Sequence, residues 1–88
     1  MRKVVFIEDA LNELNAYKFG QPKIVFKVFE IILAIQKDPF EGIGKPEPLK
    51  GSLQGFWSRR ITDEHRLVYK VNEDEILIFS CKSHYEGF

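Results

Sequence analysis

A single cysteine, Cys81, stands in the 88 residues, which excludes an internal disulfide and makes a reducing compartment, the cytoplasm, the expected location. Net charge is also missing: 13 Lys and Arg balance 13 Asp and Glu, so overall electrostatics favours no class of partner. No long apolar run is present. The longest, residues 24–35, carries Lys27 and Glu30 and is too short to span a bilayer. Arg2 and Lys3 are followed by Glu8 and Asp9 rather than by an apolar stretch, which argues against a secretory signal and for no membrane association. His65, His84 and Cys81 lack a recognised metal-ligand spacing, no Gly-rich phosphate loop follows a strand, and no repeat or low-complexity segment occurs. Neither a metal nor another cofactor is therefore expected. A chain this short with 44% hydrophobic residues reads as one domain, residues 1–88, with a modest core.

What is there centres on residues 55–71, GFWSRRITDEHRLVYKV, two alternating runs joined by Thr62, Asp63, Glu64 and His65. This spacing predicts a β-hairpin. Strand side chains alternate, so Arg66, Val68 and Lys70 share one face, while Leu67, Tyr69 and Val71 share the other and read as core. Arg59 and Arg60 are adjacent and must point to opposite faces, so only one of them joins Arg66. Lys45, Lys50, Arg59, Arg60, Arg66 and Lys70 crowd this region against Glu47, Asp63 and Glu64. That clustering points either to a phosphate or carboxylate partner or to an ordinary solvated face.

Upstream, residues 3–7 favour a strand, and Leu11, Leu14 and Tyr17 then line one face of a helix. Gly20 and Pro22 suit its end and the start of a second helix over residues 23–37. That helix is apolar almost all round and reads as buried on three sides, either as a central core helix or with part of it against another chain. A homodimer is the corresponding expectation. Residues 38–54, punctuated by Pro39, Gly42, Gly44, Pro46, Pro48 and Gly51, read as a loop, and a last strand is expected over residues 75–85. The sum is an α+β fold: two N-terminal helices packed on an antiparallel sheet of about four strands.

Glu47 held between Pro46 and Pro48, the cations Lys50, Arg60 and Arg66, and His84 beside Tyr85 form the remaining constellation. Such a set suits metal-free cleavage of RNA: a carboxylate takes the proton of the ribose 2′-OH, guanidinium groups hold charge on the phosphoryl oxygens, and a histidine protonates the departing 5′ oxygen. Tyr85 or Phe56 could stack on a base. Cys81, within an apolar strand, reads as a small core residue rather than a nucleophile.

Three segments, GIGKPEPLKG, GFWSRRITDEHRLVYKV and ILIFSCKSHY, lie between positions 42 and 85 and closely resemble the YoeB/Txe branch of the RelE-type toxins of bacterial toxin–antitoxin pairs. The resemblance implies a microbial-ribonuclease-like fold and a toxin that enters the A site of the 70S ribosome, cuts messenger RNA and leaves a 2′,3′-cyclic phosphate. It also implies a cognate antitoxin, YefM/Phd-like, whose C-terminal segment covers the active site. Carried over by position, Glu47 is the general base, Lys50 a supporting cation, Arg60 and Arg66 phosphate ligands, His84 the general acid and Tyr85 an orienting or stacking group. Arg59, on the opposite face, is expected to touch RNA or antitoxin. Glu86, Gly87 and Phe88 follow the HY pair, a departure from the family's pattern: the added carboxylate and aromatic either raise the pKa of His84 or obstruct the site. The rival expectation from the same cations is a non-catalytic module that holds RNA or the ribosome without cutting, or acts as a co-repressor with its antitoxin.

Overall fold

The computed structural model describes residues 1–82. Its elements run β1 (Lys3–Phe6), α1 (Glu8–Gly20), α2 (Pro22–Lys37), β2 (Glu47–Pro48), a single 3-10 turn (Gly51–Leu53), β3 (Trp57–Arg60), β4 (Arg66–Val71) and β5 (Glu75–Ser80). Among the described residues no helix is long and apolar enough to cross a membrane. Glu8 and Asp9 sit in the first turn of α1, where carboxylates complement the helix dipole, and Pro22 opens α2, where its missing N–H costs nothing. Gln21 alone joins the helices and ends the first by donating its N–H to the Tyr17 carbonyl at 2.8 Å, so Gly20 remains inside α1 rather than after it.

The fold is α+β, as expected, but among the described residues the sheet is larger and mixed: five strands in the order β1-β5-β4-β3-β2. The extra strand is β2, two residues within the expected loop, where Glu47 pairs with Ser58 and Pro48 with Trp57. An edge position tolerates Pro48, which has no ladder donor to give. The parallel element is β1 against β5, with Lys3 opposite Glu75 and Phe6 opposite Ile78. Nothing local in residues 3–6 encodes a partner more than seventy positions away.

Ala10, Leu14 and Tyr17 of α1 and Ile24, Val28, Ile31, Ile32 and Ile35 of α2 form the core with Ile61, Leu67, Tyr69, Ile76, Ile78 and Cys81. The second helix buries one stripe only. Phe26 is 73% exposed, Leu33 65% and Phe29 50%, which corrects the expectation of burial on three sides. A register shift between Val68 and Tyr69 leaves an extra residue in β5, and a bulge of this kind locally disrupts the ladder. Val68 is also buried, but outside the core cluster that holds Leu67 and Tyr69, while Lys70 lies exposed with its ammonium 5.6 Å from the Phe56 ring centroid.

Candidate active site

Strand alternation and register build one cavity on the sheet. Ser58 and Arg60 are two apart on β3 and share a face; Glu47 lies opposite Ser58, and Arg66 opposite Arg60. With Gly44 and Lys45 these four residues line a cavity of about 150 Å³. One carboxylate therefore faces three cations, Lys45, Arg60 and Arg66, a chemistry that accepts an anion while keeping one base in reach.

Arg66 is braced by the hairpin turn. Its Nη1 donates to the carbonyls of Thr62 at 2.8 Å, His65 at 3.1 Å and Asp63 at 3.2 Å. The turn itself is tied by Thr62 Oγ1, which accepts from the backbone N–H groups of His65 at 3.0 Å and Glu64 at 3.2 Å. A guanidinium held by one edge presents a fixed fork to a phosphate.

Arg59 does something else. It is 0% exposed, so the expected contact with RNA or antitoxin is corrected: the side chain is a buried brace. Nε donates to the Tyr69 hydroxyl at 3.1 Å, Nη1 to the Ile43 carbonyl at 3.2 Å, and Nη2 to the carbonyls of Asp38 at 2.7 Å and Glu41 at 3.0 Å. The Tyr69 hydroxyl in turn donates to the Pro39 carbonyl at 2.8 Å. Burial raises the pKa of that phenol, with the neighbouring Arg59 opposing the shift. Residues 38–43 contain no regular structure, so their carbonyls lack ladder or helix donors, and one guanidinium bonds three of them, those of Asp38, Glu41 and Ile43. Phe40 adds an aromatic contact, 4.9 Å from Trp57 between ring centroids.

This pinning carries the chain into the cavity wall. Gly44 has φ +83°, and its carbonyl accepts from the Arg60 N–H at 2.6 Å. A Cβ there would lie 3.0 Å from the Arg60 carbonyl oxygen and 3.1 Å from Arg59 Cβ, so only glycine fits this close approach. Lys45 follows with φ 52° and enters the cavity. The sequence gives no sign of this, because Lys45 precedes β2 and is turned towards the cavity by a left-handed backbone. Lys50, which was selected, is exposed at the start of the 3-10 turn and does not line the cavity. His84 and Tyr85 lie outside the described residues. Among the described residues no group of three His, Cys, Asp or Glu side chains converges as a metal site.

Residues 6–85 match the family described as YoeB-like toxin of bacterial type II toxin-antitoxin system. Toxin YoeB of Escherichia coli O6:H1 is 49% identical over 83 residues, 94% of this chain and 99% of that protein. The structure of the YoeB dimer from Staphylococcus aureus superposes with a TM-score of 0.89 at 42% identity, covering 96% of this chain and 98% of that one. A YoeB–YefM complex from the same organism gives 0.86 at 42% identity, covering 97% and 99%.

Proposed function

The chain belongs to the YoeB-like toxins of bacterial type II toxin–antitoxin systems, and from that membership together with the cavity's chemistry we propose that it is an endoribonuclease cutting messenger RNA at the A site of the translating ribosome. The observation that carries this reading is one carboxylate, Glu47, set among Lys45, Arg60 and Arg66 in a single small cavity. In the proposed reaction Glu47 removes the proton of a ribose 2′-OH, whose oxygen attacks the adjacent phosphorus. Arg60 and Arg66 hold the non-bridging oxygens as their charge grows, and Lys45 adds to the field. The P–O5′ bond breaks, and His84 protonates the leaving oxygen. The products are a 2′,3′-cyclic phosphate and a 5′-hydroxyl, and every proton is accounted for by side chains without a metal. Tyr85 orients the substrate or stacks on a base, and Lys50 supports the RNA from outside the cavity.

YoeB relatives occur as a dimer and in complex with YefM. By analogy this chain is proposed to be held inactive by a YefM/Phd-like antitoxin whose C-terminal segment covers the cavity, and to form a homodimer in the cytoplasm. The decisive experiment is primer extension on a message translated in a reconstituted reaction. Wild type should cut within the A-site codon, and Glu47→Ala or His84→Ala should each slow cutting by ~10²–10⁴-fold. Stalled translation with an intact message in all three would replace the nuclease with a non-catalytic ribosome-binding inhibitor.

A further inference from the structure

Lys45 holds a backbone conformation that its own sequence opposes. Its φ of 52° lies in the left-handed region, where a side chain on Cβ crowds the following carbonyl. Pro46 comes next, and a proline ring favours extended backbone in the residue before it. Glycine is at ease in such a conformation, and lysine is not. Strain of this kind persists only where the surrounding structure imposes it.

The imposing contacts come from both sides of the sheet. Downstream, Glu47 is paired with Ser58 of β3. Upstream, the Gly44 carbonyl is tied to the Arg60 N–H, so Lys45 and Pro46 must cross between two fixed points. From the closed side Arg59 holds the approach through the carbonyls of Asp38, Glu41 and Ile43, and Tyr69 adds that of Pro39. The fit is close, since a Cβ on Gly42, whose φ is +126°, would stand 3.1 Å from Arg59 Nη1. The result is an exposed lysine delivered to the cavity wall with Arg60 and Arg66. Among the described residues Lys45 makes no ion pair.

We propose that Lys45 is a direct ligand of an RNA phosphate, held for that contact by the strained turn, and that Arg59 and Tyr69 are positioning residues acting through it from the closed side. The inference rests on the reading of the cavity as an RNA site, and does not depend on cutting. An ammonium is a compact charge with rotatable donors, so it adds affinity for the RNA backbone whatever the base.

The test measures binding of the full chain to a short 2′-fluoro RNA, which keeps the phosphates and lacks the attacking hydroxyl, by fluorescence anisotropy across a salt series. Lys45→Ala should weaken binding by about tenfold at low salt. It should also take about 0.7 off the slope of log affinity against log salt, the share of one phosphate contact on a single strand. Lys45→Arg should keep both. Lys45→Gly should bind as poorly as Lys45→Ala yet unfold at a higher urea concentration, because glycine is unstrained at that φ. Arg59→Met should weaken binding by roughly 2–10-fold in the wild type and not at all in the Lys45→Ala background. Tyr69→Phe, which removes one hydroxyl and keeps the packing, gives the same readings should Arg59→Met fail to fold. Four results would each overturn the proposal: no binding by wild type at low salt, an unchanged slope in Lys45→Ala, a full additional loss from Arg59→Met in its background, or earlier unfolding of Lys45→Gly than of Lys45→Ala. The nuclease reading fails separately, because a wild type that binds with the expected slope but leaves translated messages intact keeps Lys45 as a phosphate ligand and loses only the chemistry.

Discussion

Arg59 and Arg60 are neighbours in the chain and identical in chemistry, yet they belong to two different regions. Arg59 lies on the side of the sheet closed by loop and core, where carbonyl oxygens and a phenol take its donors. Arg60 lines the open cavity with Glu47 and Arg66. Strand alternation is the whole cause of the separation. The comparison teaches that a cation cluster read from sequence divides into two populations: one buried as part of the protein's own frame, and one lining a cavity that opens to solvent. It also shows that the first population can serve the second. Arg59 holds residues 38–43, and those residues deliver Gly44 and Lys45 to the cavity.

The largest effect that would break this comparison concerns stability. Arg59→Met keeps much of the volume but removes four hydrogen bonds that a buried guanidinium makes to three carbonyls and the Tyr69 hydroxyl, and should lower stability by about 2–4 kcal/mol in urea unfolding. Arg60→Met should stay within about 0.5 kcal/mol of wild type yet lose on the order of 10²-fold in mRNA cutting. Equal destabilisation by the two changes would erase the distinction.

A smaller effect follows from titration of the closed side. Burial, with the Glu13 carboxylate adding to it, pushes the Cys81 thiol from 9.0 up to about 12. Burial, then Cys81 and Glu13, moves the Tyr17 phenol from 10.0 to about 12. Above pH 9 the unfolded chain releases protons that the folded chain retains, so the unfolded state gains. Stability is full below that pH and falls as pH rises towards about 12. Urea midpoints measured across this window should drop, Cys81→Ala should flatten the slope, and Arg66→Ala, on the open side, should leave it unchanged. The smallest effect is on the outer stripe of α2. Phe26→Lys should change stability by less than about 0.5 kcal/mol, because the ring is largely exposed.

Much of the site was legible from residue types and spacing. Glu47 between prolines, and Arg60 and Arg66 on facing strands, were identified and stand together in one cavity. Lys45 does not show in the sequence because a left-handed backbone at φ 52°, outside any strand, brings it to the cavity, and no period marks such a turn. Lys50 was favoured by the family resemblance but lies outside the cavity wall. The α2 stripe of Phe26, Phe29 and Leu33 misled because apolar character marks what can be buried, and only neighbouring elements decide what is.

By itself the sequence determined the local features: two helices broken at Gly20 and Pro22, a hairpin turning at 62–65, and the rule that adjacent arginines part company. These depend on periods of 3.6 and 2 and on turn chemistry, which act over a few residues. Only the tertiary structure decided that β1 lies parallel to β5, that Val68 is buried, that Arg59 is a brace, and that Glu13 and Tyr17 hydrogen-bond Cys81 at the end of β5. Each of these joins segments distant in sequence, and the energy that selects them is the satisfaction of buried polar groups and apolar surface across the whole fold.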